Sequence, residues 1–157
     1  MNKTTTTLGA MVMAATANAI EPDAKWLDLV EQVESSGNAK AVGDFKNGKP
    51  RARGAFQMWQ IALADVSNYR RERDLKVYPY AKAWDYHIAR LYAHDYAQLQ
   101  RIRMMRKTER DPDAAELYAL YNLSYGGYSR RGFDLSKCPR ITRQKAERIA
   151  KEWRAKK

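Results

Sequence analysis

A chain of 157 residues is the size of one domain, and 45% hydrophobic residues with 10 Tyr and 4 Trp exclude a disordered polymer. A mean hydropathy of −0.73 and the lack of any long apolar run exclude a multi-span membrane protein. The 29 Lys and Arg against 18 Asp and Glu leave a formal net charge of +11. That excess favours polyanionic partners: nucleic acid, anionic lipid surfaces, or the acidic polymers of a bacterial envelope.

The N-terminus reads as an export leader. Lys3 precedes a short apolar stretch over residues 8–15, and Ala17-Asn18-Ala19 supplies small residues for cleavage after Ala19. Residues 1–19 are therefore expected to be a signal peptide, and 20–157 the mature domain, exported and without a transmembrane anchor. The one cysteine, Cys138, permits no intrachain disulfide and no cysteine-based zinc site.

From Ala24 the pattern turns helical, with Trp26, Val30 and Val33 on one face and Asp23 as N-cap after Pro22. Ser35-Ser36-Gly37-Asn38 should end this helix, which sets Glu34 on its last turn beside Val33. Turn signals crowd residues 39–53, and Asn47-Gly48 suggests a small hairpin or irregular loop. Gly54 opens a second helix, expected over 55–69, with Phe56, Met58, Trp59, Ile61 and Val66 as apolar members. After Val77-Tyr78-Pro79 comes the longest helical pattern, about 82–105. Asp111-Pro112-Asp113 restarts a helix through Leu117, Leu120 and Tyr121, which Gly126-Gly127 should break. Residues 142–153 form a last amphipathic helix with Ala146, Ile149 and Trp153 inward. The expected fold class is all-α, one compact helical domain with a turn-rich loop or small hairpin between its first two helices.

Three stretches carry residues with chemistry to offer. Glu34, at the tip of an apolar helix among small residues, can be half-buried, and desolvation keeps a carboxylic acid protonated for glycosidic cleavage. In Gly54-Ala55-Phe56-Gln57, glycine permits close backbone approach and Gln57 offers donors and an acceptor. In Leu120-Tyr121-Asn122, Tyr121 can direct its hydroxyl at a carboxylate, and Asn122 can bond an acetamido or hydroxyl group of a sugar. Tyr125 and Tyr128 offer flat faces for pyranose rings.

In this order, the three stretches resemble the signature of the soluble lytic transglycosylase and goose-type lysozyme superfamily. That signature is a Glu-Ser pair, a Gly-Leu-Met-Gln-like segment and an Ala-Tyr-Asn-like segment. Ala41-Val42-Gly43-Asp44 is also similar to small phage and secretion-system members of the group. The resemblance spans the chain from Trp26 to the last helix. Three departures stand out: Ala55-Phe56 replaces Leu-Met, Leu123-Ser124 stands where Ala-Gly is common, and the last helix lacks a customary tyrosine.

The resemblance implies a lysozyme-like domain that cleaves the β-1,4 bond between N-acetylmuramic acid and N-acetylglucosamine in peptidoglycan. Glu34 would be the single catalytic acid/base, leaving 1,6-anhydromuramic ends. Ser35 would orient Glu34 or bridge to the substrate, and Gln57, Tyr121 and Asn122 would line the cleft. No metal or organic cofactor is implied, and the setting would be wall remodelling, a secretion apparatus or a phage particle.

Two other readings compete. Asp44 or Asp65 as a second acid would make a hydrolysing lysozyme of the same fold. Basic clusters at Arg70-Arg71, residues 101–107 and Arg130-Arg131, with many tyrosines, suit a nucleic-acid binder or a non-catalytic wall-binding protein. The scatter of those clusters and the export leader disfavour nucleic acid. His87 and His94, near Asp95, lack a convergent third ligand and are not read as a metal site.

Overall fold

The computed structural model describes residues 21–155, so the leader expected over 1–19 lies outside the described residues. Helix α1 runs Ala24–Ser35, started by the Asp23 carboxylate, which accepts the Trp26 backbone N–H at 2.7 Å. It ends where Ser36 turns left-handed (φ 55°) and its N–H reaches the Gln32 carbonyl. Trp26 is fully buried, and its indole N–H donates to the Ala114 carbonyl oxygen at 3.3 Å. That bond ties the first helix to the start of the fourth.

Between α1 and α2 lies a small antiparallel sheet, β1 (Val42–Gly43), β2 (Ala52–Arg53) and β3 (Met58–Trp59), in that order. The sequence pointed to a hairpin here; the third strand is new. It forms because Gly54 (φ +76°) and Gln57 (φ 47°) fold residues 54–57 into a tight turn that sends Met58 back along Ala52-Arg53. A Cβ at Gly54 would lie 2.3 Å from the Ala83 carbonyl oxygen, so only glycine fits. Helix α2 accordingly begins at Gln60 and runs to Arg71, instead of starting near residue 55. Phe56 and Met58 are still buried, but from a turn and a strand.

A 3-10 turn at Tyr80–Trp84 leads into α3 (Tyr86–Thr108), capped by Asp85. The expected start near residue 82 falls in that turn. Arg70, at the end of α2, forms a buried ion pair with Asp95 of α3 and donates from Nε to the Lys76 carbonyl at 2.6 Å.

Helix α4 (Ala114–Ser129) opens with a reciprocal capping box. Asp113 accepts from the N–H groups of Ala115 and Glu116, both at 2.9 Å, and Glu116 accepts from the Asp113 N–H at 3.1 Å. Leu117, Tyr118, Ala119 and Leu120 are buried on all sides, the mark of a central helix. It packs on α3 and on α5 (Arg140–Ala155), and α5 also covers α1. Ala146 and Ile149 of α5 are inward as expected, and Trp153 is half-buried against the core.

The break in α4 does not fall at Gly126-Gly127. It falls at Ser124, whose φ of 63° and ψ of 166° lie in a region nearly exclusive to glycine and cost any side chain about 1–3 kcal/mol. The Tyr125 N–H, no longer aimed along the helix, donates to Oε1 of fully buried Gln100 at 2.6 Å. Among the described residues, no helix is long and apolar enough to cross a membrane.

The capping box gives a direct check. Asp113→Ala should lower unfolding free energy by about 1 kcal/mol, because two buried-end N–H groups lose their acceptor. Urea denaturation at neutral pH measures it.

Candidate active site

The end of α1, the small sheet, the start of α2 and the middle of α4 enclose a cleft of about 520 Å³. Glu34, Gln57, Tyr121 and Asn122 all line it, as does Asp44. Four of the five residues expected at the site therefore meet on one surface. Ser35 does not join them. Its hydroxyl turns back along the helix and donates to the Glu31 carbonyl at 3.3 Å.

The Glu34 side chain is only 8% exposed. Its surroundings are not purely apolar, as the sequence suggested. Oε1 accepts from the Tyr118 hydroxyl of α4, and the Lys145 ammonium of α5 lies 3.3 Å from Oε2. Three helices thus converge on one carboxyl group. Sequence reasoning missed both partners. Tyr118 carried a signal, since it sits one turn before Tyr121 on the same helix. Lys145 carried none, being one cation among several on α5.

Tyr121 does not point its hydroxyl at the carboxylate. It donates to the Phe56 carbonyl oxygen at 2.8 Å, while its ring meets Trp26 and Tyr96 edge-on at 6.0 and 5.7 Å. It braces the turn that carries Gln57 and leaves the carboxyl to Tyr118. Burial, and then the Glu34 charge, push both phenols well above their ordinary value, so each stays a protonated donor.

Gln57 is fixed by its own turn. Nε2 donates to the Gly54 carbonyl at 2.9 Å, and Oε1 occupies the space where a Cβ at Gly43 would come within 2.5 Å. Gly43 is the reason the glutamine can lie against β1. Asn122 is exposed, and its Oδ1 accepts from the Thr142 hydroxyl at 2.8 Å. That bond orients the amide on the cleft wall, and its NH₂ group is the donor it can offer a ligand carbonyl or hydroxyl.

Asp44 sits in a left-handed turn (φ 50°), and its Oδ2 accepts from the Trp59 indole N–H at 2.8 Å. Arg51 lies over the face of the same indole, 4.5 Å from the ring centroid. Asp65, the other acid considered, is bound to Arg103 at 2.9 Å and does not line this cleft. Tyr128 is fully buried against Phe133, and half-buried Tyr125 also packs on Phe133. Tyr128 has no free face for a sugar ring, and neither tyrosine lines the cleft.

Several basic residues of the clusters noted above are engaged internally. Arg70 pairs with Asp95, Arg101 with Asp111 at 2.8 Å, Arg103 with Asp65, and Arg131 donates to the Gly127 carbonyl at 2.7 Å. His94 Nδ1 lies 3.0 Å from Asp95 Oδ1. Among the described residues, no three His, Cys, Asp or Glu side chains gather as a metal site. Comparison with protein-family models, with curated proteins and with solved structures finds no significant match.

The buried phenols set an alkaline limit on stability. Burial, followed by the Asp65 charge, pushes Tyr96 up to about 12, and Tyr118, Tyr121 and Tyr128 are also raised. A group raised in the fold contributes stability that is complete below its unfolded value, about 10, and is lost as pH climbs through the folded value. Unfolding free energy should therefore fall steadily above about pH 10. Phenolate absorbance should show the exposed tyrosines titrating first, with Tyr96, Tyr118, Tyr121 and Tyr128 following at higher pH or on unfolding.

Proposed function

We propose that this chain is a peptidoglycan lytic transglycosylase, acting on the β-1,4 bond between N-acetylmuramic acid and N-acetylglucosamine. The observation that carries the reading is a buried, doubly partnered Glu34 carboxyl on the wall of a cleft that also holds Gln57 and Asn122. The ordered trio of motifs, with five α-helices and one small sheet among the described residues, supports it further.

Glu34, carrying a proton, donates it to the glycosidic oxygen as the bond to muramic C1 breaks and an oxocarbenium-like centre develops. The muramic C6 hydroxyl then attacks C1 from within the same sugar and returns its proton to Glu34. The products are a chain ending in a free 4-hydroxyl and a 1,6-anhydromuramic terminus, with no water consumed. Lys145 lies against Oε2, so that oxygen can carry the transferred proton only when the ammonium moves aside. Its flexible stem and partial exposure permit that movement. Tyr118 holds Oε1 and keeps the carboxyl aimed.

Asp44 lines the same cleft and is the residue on which a hydrolysing lysozyme would depend. Its Oδ2 is already committed to the Trp59 indole, which favours the one-acid route. The partner on this reading is the glycan strand of the wall, and the site of action is the periplasm or cell exterior. A basic surface favours approach to anionic wall polymers, an attraction that salt weakens. Internal pairing of Arg70, Arg101 and Arg103 leaves less of a continuous cationic track for nucleic acid.

Purified peptidoglycan in a zymogram should be cleared by the wild-type chain, and Glu34→Gln should reduce the rate about 10²- to 10⁴-fold. Clearing retained by that variant would remove the assignment. Mass spectrometry of the fragments should show anhydromuramic ends; reducing ends would make the protein a lysozyme working through Asp44.

A further inference from the structure

Ser124 holds a backbone conformation that suits glycine, yet it carries a side chain and lines the cleft beside Asn122. The fold itself gives little in return. The hydroxyl accepts one N–H, from Gly127, at 3.4 Å, the long limit of a hydrogen bond. The two glycines that follow within one turn set no side chain beside it: a Cβ at Gly126 or Gly127 would lie 4.0 and 3.9 Å from the Ser124 Oγ, and neither residue has one. The strained backbone is held in place from behind, where buried Gln100 takes up the displaced Tyr125 N–H at 2.6 Å.

A costly conformation that presents a weakly bonded hydroxyl on a cleft wall points to a ligand. We infer that Ser124 is a substrate-binding residue, whose hydroxyl bonds a hydroxyl or acetamido group of the glycan next to the sugar held by Asn122. The inference rests on the peptidoglycan reading and extends it to a residue at which the chain departs from the family pattern. Gln100 acts as a positioning residue, fixing the kink that turns the serine outward.

The test uses the full chain carrying Glu34→Gln, which should bind but not cleave, and glycan strands of alternating N-acetylglucosamine and N-acetylmuramic acid freed of their peptides. Binding is read by calorimetry and by tryptophan fluorescence. Adding Ser124→Ala or Ser124→Gly should each weaken Kd about two- to tenfold, the loss of one hydrogen bond to a neutral group. Ser124→Gly should also raise Tm by about 4 °C, and Ser124→Ala should not. An unchanged Kd in the alanine variant, or weakening in the glycine variant alone, overturns the role of the hydroxyl while leaving the peptidoglycan reading intact. A glycine variant no more stable than its parent removes the strain argument. No strand binding by the Glu34→Gln parent, together with no clearing by the wild type, defeats the peptidoglycan reading and this inference with it.

Discussion

A carboxylate taken out of water must be compensated, or the fold loses several kcal/mol. Here the compensation comes from two other helices: a phenol on α4 and an ammonium on α5 close on the Glu34 carboxyl at the tip of α1. That arrangement requires the three helices to be in register. The Trp26 indole, bonded to the Ala114 carbonyl, fixes how far α1 slides along α4. The capping box fixes where α4 begins, and so how many turns separate its start from Tyr118. Loss of alignment at either point would strand a buried charge.

The opposite wall of the cleft is built largely from the small sheet and its turns. Gly54 and Gly43 admit contacts that any side chain would block, one to the Ala83 carbonyl and one to Gln57. Tyr121 joins this wall to the helical one, since it is packed among α1, α3 and α4 while its hydroxyl holds the Phe56 carbonyl. Asp44, Trp59 and Arg51 form a separate cluster on the rim. The Glu34 carboxyl and Asn122 thus sit on helices, and Gln57 and Asp44 sit on short segments pinned to them.

Much of the helical frame was legible in the sequence because amphipathic spacing and caps are local signals. Asp23, Asp113 and the Ala146–Ile149 face all act as their positions suggested. Convergence of Glu34, Gln57, Tyr121 and Asn122 on one cleft was legible from the order of the motifs. What could not be read is whatever depends on distance in space. The phenol that meets the carboxyl belongs to Tyr118 and not Tyr121, because the helical phase of α4 against α1 is set by packing. The third strand and the late start of α2 arise from two left-handed residues, one of which, Gln57, has no glycine-like signature. The α4 break looked like the work of Gly126-Gly127, but it belongs to Ser124, where Gln100 on α3 accepts the displaced N–H.

The near-contact of Gly54 with the Ala83 carbonyl has a mechanical consequence. The loop wall of the cleft rests directly on the 3-10 turn that launches α3, with no side chain between them to act as a cushion. Arg53, lying over both Tyr80 and Trp84 of that turn, adds a second point of attachment. Any outward movement of the sheet would therefore have to drag the front of α3 with it, which couples the width of the groove to the seating of that helix.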